Sequence, residues 1–312
     1  MARIASIINF KGGVGKTSLS LHLACYLENQ IEGNPKVLLI DVDHQSSLSI
    51  ICLDPDRWEE VCSDGLTVNR IFSSYISTDP MPGAEIISES PFDDSYPNLD
   101  LLSAQLELDD TEIDLAATTI GNPLQSEWKK RTLLCKWLED SGASDKYDFV
   151  IIDCPPATKI VSQNAIAASH FYILPVIPDA ISTRGVTHFY NLVQAQIDGR
   201  LKSYANSIPS NLIPQTYVAD TQFGGIVISN AQTHGPANSG YIDEHTRHMR
   251  MLRRDWEHNV YNNIIERATG VAESLGDGWP VYNRLEYPNV INRDLPTMFK
   301  RVCSEIVARL GW

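Results

Sequence analysis

Lys11-Gly12-Gly13-Val14-Gly15-Lys16-Thr17 follows the Ile-rich stretch Arg3–Asn9 and opens the segment Ser18–Asn29, whose Leu19, Leu23, Ala24 and Leu27 fall at helical spacing. Strand, glycine loop, Lys-Thr and helix, in that order, are the context a phosphate loop requires. The glycines let the backbone curl so that successive N–H groups face a phosphate. The helix that follows adds the partial positive charge of its N-terminus. In such a loop Gly12, Gly13, Val14 and Gly15 surround the phosphates. Lys16 reaches the β- and γ-phosphates, and the Thr17 hydroxyl sits on Mg²⁺. The ordinary pattern begins with a glycine where this chain has Phe10, and Lys11 comes next. This is the deviant form of the loop.

Further along, Lys36–Val42 and Tyr147–Asp153 are continuous apolar runs that each close on acidic residues. Such runs suit parallel strands covered on both faces. Phe171–Ile177 and Gly225–Ser229 read as two more strands, with helical patterns over Ser126–Asp140, Ser162–Ser169 and Thr183–Ile197. Strands alternating with helices predict an α/β fold, a mostly parallel twisted sheet flanked by helices. The reading is one P-loop ATPase domain over residues 1–312. Loop insertions are expected near 78–97 and 199–221, where Pro, Ser and other polar residues collect. Asp41 and Asp43 end one strand and Asp153 ends another. In a parallel sheet these ends gather at one rim, beside the phosphate loop. A carboxylate there can hold Mg²⁺ through water, and another can orient an attacking water.

Composition sets bounds. With 43% apolar and 21% charged residues the chain can build a sizeable core, and its formal net charge is −14. Any nucleic-acid contact must therefore come from a local basic patch. The six cysteines form no C-x-x-C pair, which argues against a zinc or redox motif. No apolar run is long enough to span a membrane. The expectation is a cytoplasmic protein.

Several stretches resemble the ParA/MinD family of deviant Walker A ATPases, and most the ParA/Soj partition branch. KGGVGKTS resembles the family's phosphate loop, and LLIDVDHQSSLS its switch I box, with His44 where Pro is usual. NLDLLSAQLELDDTEIDLA resembles a stretch of the ParA branch, and YDFVIIDCPPATKIVSQNAIAAS the Walker B strand with switch II. The resemblance covers roughly residues 1–195. It implies ATP and Mg²⁺ as cofactors and an ATP-sandwiched homodimer. Lys11 would then be the signature lysine, reaching the partner's phosphates, and Lys16 the lysine acting in cis. Asp43 would position the attacking water. Thr17 and Asp153 would lie at the metal, Asp41 near the metal or the signature lysine, and Ser18 at a phosphate. The last third matches less well. Asn230 and Gln232 lie where adenine contacts are usual, although a turn after a strand explains Asn230 equally. Pro280 and Arg284-Leu285 faintly resemble a later nucleotide loop.

His245–Tyr261 reads as an amphipathic helix. Met249, Leu252, Trp256 and Val260 face inward, while Arg247, Arg250, Arg254 and His258 form a ridge flanked by Arg253. Glu257 is within reach of Arg253 or Arg254. Such a ridge can meet DNA phosphates without reading sequence. A solvated surface face is the plain alternative. The C-terminal pattern, about Pro296–Leu310, carries Phe299, Val302, Ile306 and Leu310 at core spacing, with no amphipathic membrane tail of the MinD kind after it.

Three functions compete. The first is a nucleoid-associated partition ATPase, whose ATP dimer binds DNA non-specifically and whose hydrolysis a ParB-like partner stimulates. The second positions a protein cargo by the same cycle, through a cargo adaptor. The third is a metal carrier or metabolic enzyme on the same fold, since fold does not fix function.

Overall fold

The computed structural model describes residues 1–235, 240–286 and 295–312, with the side chains of 284–286 left out. Its six strands are β1 (Arg3–Ile7), β2 (Val37–Asp41), β3 (Leu99–Leu102), β4 (Phe149–Asp153), β5 (Phe171–Val176) and β6 (Gln222–Ile228). They form one all-parallel sheet in the order β3-β2-β4-β1-β5-β6. Alternate residues of each strand feed opposite cores. In β2, Val37 and Leu39 enter one cluster and Leu38 and Ile40 the other, so every residue of the strand is buried.

The helices are α1 (Lys16–Gln30), α2 (Ser47–Leu53), α3 (Pro55–Ser63), α4 (Asn69–Ser77), α5 (Leu108–Ala117), α6 (Pro123–Arg131), α7 (Leu133–Asp140), α8 (Ala143–Lys146), α9 (Ile160–Ala168), α10 (Ala180–Asn191), α11 (Gly199–Ala205), α12 (Asp243–Trp256), α13 (Thr269–Gly276) and α14 (Leu295–Leu310). α1 and α14 cover one face of the sheet; α4 to α7, α9, α10 and α12 cover the other.

Three expectations are corrected. β3 is a strand the apolar pattern did not flag. Residues 199–221 do not begin as a loop, because α10 continues through a π-helical segment, Leu192–Asp198, into α11. The basic helix is also shorter than its periodicity suggested. It ends at Trp256, where Glu257 takes φ 34°, so His258 and Val260 lie beyond it. Val260 instead bridges Ile226 in parallel, and Tyr261 and Ile265 donate N–H groups to Ile226 and Ile228. The segment 260–266 thus lines the β6 edge and takes up its carbonyls. By contrast, residues 78–97 carry only two short 3₁₀ turns, Ala84–Ile86 and Asp93–Ser95.

A buried histidine ties the phosphate-loop helix to the C-terminal part of the chain. His22 Nδ1 lies 2.5 Å from the Ser18 carbonyl, and its Nε2 accepts the Val281 N–H at 3.0 Å. Its ring stacks on Phe299 with centroids 3.8 Å apart. These partners fix a neutral ring with its proton on Nδ1, and burial lowers the pKa to about 4. The unfolded chain protonates this ring near pH 6.5, so its contribution is intact above that value and fades as the pH falls toward 4. Against a His22→Gln variant, the wild type should lose roughly 3 kcal/mol of its advantage between pH 7 and pH 4, read from urea midpoints. A gap that does not change with pH would contradict the buried neutral ring.

Candidate nucleotide site

The turn from β1 into α1 is built by Gly13 and Gly15, which adopt φ 71° and 82°. These left-handed conformations cost a residue with a Cβ more than they cost glycine. The curl is clamped from the sheet side: Ser229 Oγ donates to the Val14 carbonyl at 2.6 Å, and Asn230 Nδ2 donates to the Gly13 carbonyl at 2.9 Å. Lys11 N–H donates to Asn9 Oδ1 at 3.0 Å, and Asn9 Nδ2 donates in turn to the Pro175 carbonyl of β5 at 2.8 Å. α1 starts with no capping side chain and no acidic residue in its first turn. Its first N–H groups therefore face the cavity with the helix's positive end behind them.

That cavity measures about 860 Å³, a size that takes a nucleotide-sized ligand. Gly12, Gly13, Gly15, Lys16, Thr17, Ser18, Asp43, Asn230 and Gln232 all line it, so residues far apart in the chain meet in one place. Lys16 is buried, and among the described residues its ammonium donates only to the Lys11 carbonyl, at 3.3 Å. Burial lowers its pKa, while Asp153 and Asp43 pull the other way. The Ser18 hydroxyl is buried with no partner among the described residues. Both groups suit an incoming phosphate. Val14 is fully buried beneath the loop and offers only backbone.

Behind the loop, Asp41 and Asp153 sit side by side in register on β2 and β4. Their environments differ. Asp41 accepts hydrogen bonds from Asp43 N–H (3.0 Å), Ser49 N–H (3.0 Å) and Ser49 Oγ (2.8 Å). These bonds fasten the end of β2 to α2. Asp153 Oδ1 accepts from Ser20 Oγ at 2.9 Å, while Oδ2 is buried without a partner among the described residues. The Thr17 hydroxyl stands beside the same carboxylate. An orphaned hard oxygen next to a hydroxyl fits Mg²⁺. No cluster of three acidic, His or Cys side chains among the described residues could hold a metal unaided. A cation here would complete its shell with phosphate and water oxygens.

Asp43 lies at the cavity wall, its Oδ1 accepting Gln45 N–H at 3.0 Å with His44 Nδ1 3.8 Å away. Lys11 does not enter the cavity. Its ammonium donates to Asp179 Oδ2 at 2.6 Å and to Ser182 Oγ at 2.9 Å.

The apolar wall of the cavity was not legible in the sequence. Ile51, Ile265, Ala268, Val271, Ala272 and Leu275 line it, an apolar slot formed by α2, the segment before α13 and α13 itself. Their apolar spacing is that of any amphipathic segment and carries no signature. Pro280 is buried one residue before Val281, not at this wall, and the side chains of Arg284 and Leu285 lie outside the described residues. The arginines stand elsewhere. Arg247, Arg250, Arg253 and Arg254 are all exposed on α12, while His245, His248, Met249 and Leu252 turn inward. Arg254 pairs with Asp255 at 2.6 Å, and Glu257 pairs with His258 instead of an arginine. Arg250 has no partner among the described residues.

A parallel sheet whose first strand runs through a glycine turn into an uncapped helix, with carboxylates on the neighbouring strand ends, defines a P-loop nucleotide-binding protein. The comparisons narrow the class. The sequence family described as an AAA domain matches residues 2–204. The chain is 28% identical over 279 residues to the chromosome partitioning protein ParA of Caulobacter vibrioides, covering 89% of this chain and 86% of that protein. It is 30% identical over 304 residues to the cell division protein PomZ of Myxococcus xanthus, covering 96% and 78%. Among solved structures, an ATP complex of a Cyanothece McdA variant superposes with a TM-score of 0.69 at 16% identity, over 99% of this chain and 96% of that one. The chain belongs to this AAA-domain family and, within it, to the ParA/MinD ATPases of the ParA/Soj branch.

Burial pushes both Asp41 and Asp153 above the usual carboxylate range, with the Asp153 charge adding to the shift at Asp41 and the Asp43 charge to that at Asp153. The folded protein keeps protons that the unfolded chain releases above pH 4, so this contribution to stability is lost as the pH rises through the raised values. Asp153→Asn removes its share. The nucleotide-free variant should gain melting temperature over wild type progressively from about pH 4 to pH 7, and should lose most of the extra stabilisation that Mg²⁺ adds to ATP. A pH-independent offset with Mg²⁺ dependence intact would contradict this account of the site.

Proposed function

We propose that the chain is an ATP-hydrolysing partition protein whose ATP-bound homodimer binds DNA non-specifically, with hydrolysis stimulated by a ParB-like or cargo adaptor protein. The observation that carries the nucleotide half is the cavity in which the phosphate loop, Lys16, Thr17, Ser18 and Asp43 converge. In this reading the loop N–H groups and Lys16 hold the β- and γ-phosphates. Thr17 and Asp153 hold Mg²⁺, which neutralises charge developing on the phosphates. Asp43 orients the water. Lys11 of one protomer reaches the γ-phosphate bound by the other and supplies charge as an arginine finger does. Catalysis is then positioning and electrostatics, and the rate depends on dimerisation. Gln232 and the apolar slot beside α13 receive the base. Asn230, whose amide is engaged by the Gly13 carbonyl, supports the loop more than it reads adenine.

The DNA half rests on α12. It carries four exposed arginines on a chain of net charge −14. Trp256 at its end packs edge-on to Tyr190 and Phe223, at 5.4 and 5.5 Å, which seats the helix firmly with its basic side outward. Arg250 is the strongest candidate because its charge is uncompensated, while Arg254 is partly neutralised by Asp255. No helix among the described residues is long and apolar enough to cross a membrane. Positioning of a protein cargo uses the same site and cycle. The relative named as a cell division protein keeps a role other than DNA partition open beside it.

DNA binding measured with ATP, with ADP and without nucleotide over a salt series tests the reading. ATP should favour salt-sensitive binding. An Arg250→Glu/Arg254→Glu variant should bind weakly, its log–log salt slope shallower by about 1 for each DNA phosphate it no longer neutralises. Binding that no nucleotide state promotes would overturn the DNA half and leave the nucleotide site standing.

A further inference from the structure

The Lys11 side chain rests in a seat made by α10 of its own chain. Asp179 caps that helix with Oδ1, which accepts the Ser182 N–H at 2.8 Å, and its other oxygen takes the Lys11 ammonium at 2.6 Å. Ser182 Oγ adds a second acceptor at 2.9 Å. The carboxylate is held below the usual range, with the Lys11 ammonium the leading favourable contact against a partial desolvation cost. The residue before Lys11 is seated on the same helix. The Phe10 ring packs on Phe189 with centroids 6.1 Å apart, and it fills the place of a side chain at Gly185, where a Cβ would stand 2.4 Å from the ring. Helix α10 therefore receives Phe10 and Lys11 together, at a glycine and at an acidic cap. Lys11 and Asp179 keep 28% and 24% of their side-chain surface exposed, so the pair can open without unfolding anything.

We infer that Asp179, assisted by Ser182, is a positioning residue that holds Lys11 against its own chain and thereby sets the protein concentration at which the ATP dimer forms. The inference rests on the proposed role of Lys11 across that dimer. A lysine bound to Asp179 in cis is not available to a phosphate in trans. Each protomer must exchange one charge-assisted hydrogen bond for another when the dimer closes. The competing carboxylate lowers the competent fraction of monomers, and the apparent dimer affinity falls with that fraction.

The test uses Asp179→Asn, since Asn still caps α10 but carries no charge. Asp179→Glu, which restores a carboxylate, serves as the rescue. In nucleotide-free protein, the rate at which an amine-directed reagent labels Lys11, read by peptide mass spectrometry, should rise several-fold in Asp179→Asn and return toward wild type in Asp179→Glu. With a non-hydrolysable ATP analogue, the dimerisation midpoint of Asp179→Asn should move about 5- to 10-fold lower in protein concentration, with melting temperature unchanged within a few degrees. Ser182→Ala should shift it the same way by less. Equal labelling of Lys11 in wild type and Asp179→Asn would overturn the inference. So would an Asp179→Asn dimer that forms at the same or higher concentration, the second result meaning that Asp179 supports the dimer instead. A wild type that labels as expected yet never dimerises with the analogue would overturn the proposed function, and this inference with it.

Discussion

The N-terminus of α1 has no capping side chain, and everything else in the site is arranged around that fact. Helix N-termini in globular proteins are ordinarily satisfied by Ser, Thr, Asp or Asn. Here Gly15 occupies the cap in a left-handed conformation, and the first helical residues are Lys16, Thr17 and Ser18. Donors, a buried ammonium and two hydroxyls thus point into one cavity with little to bind among the described residues. The loop holds this shape because it is anchored at its start, through the Lys11 N–H on Asn9, and at two carbonyls further on. Gly13 and Val14 carbonyls are taken by Asn230 and Ser229, from the far end of β6. A phosphate can enter without displacing any of these hydrogen bonds.

Pre-arrangement of this kind carries a cost in the free protein. Asp41 and Asp153 lie buried on adjacent strands, and burial above all, with neighbouring carboxylates adding to it, pushes the pKa values of both upward. Lys16 is displaced downward by burial. Three donors around Asp41 do not offset its burial, and Asp153 leaves one oxygen without a partner among the described residues. Such groups are better satisfied when a ligand of complementary charge arrives, so ligand binding and stability are linked. The two hydrophobic clusters that sandwich the sheet supply the rigidity that holds the groups in place. His22 and Phe299 extend that support from the phosphate-loop helix to α14.

Much of this was readable from the chain, and the reasons for what was not are local. β2, β4 and β5 show up as continuous apolar runs because both faces are covered. β3 does not, since it is four residues long and Asp100 interrupts it. That carboxylate is tolerated because the Tyr147 hydroxyl donates to it at 2.6 Å and Lys146 at 3.2 Å, partners that no local pattern announces. The polar stretch after Gly199 looked like a loop by composition, yet α10 continues into it through wider π turns. The reach of α12 was overestimated because apolar spacing persists past Trp256 while the backbone reverses at Glu257. In the site, the glycine turn before α1 is one contiguous motif and was legible as a loop between strand and helix. The apolar wall is assembled from α2 and α13 by ordinary apolar residues, and the seat of Lys11 comes from a residue 168 positions away. Pairings of that separation are made by the topology of the sheet, which places the start of α10 beside the loop after β1.

The central claim is that the uncapped turn before α1 is a triphosphate site in which Lys16 supplies the principal charge. Equilibrium binding of ATP with Mg²⁺ to wild type and to Lys16→Ala, measured by calorimetry on folded protein, tests it most directly. The account predicts saturable binding to wild type and a loss of about 10- to 100-fold in affinity in Lys16→Ala, the span expected for removing a charge-assisted hydrogen bond from a buried site. No ATP binding by wild type, or equal binding by both proteins, would contradict it.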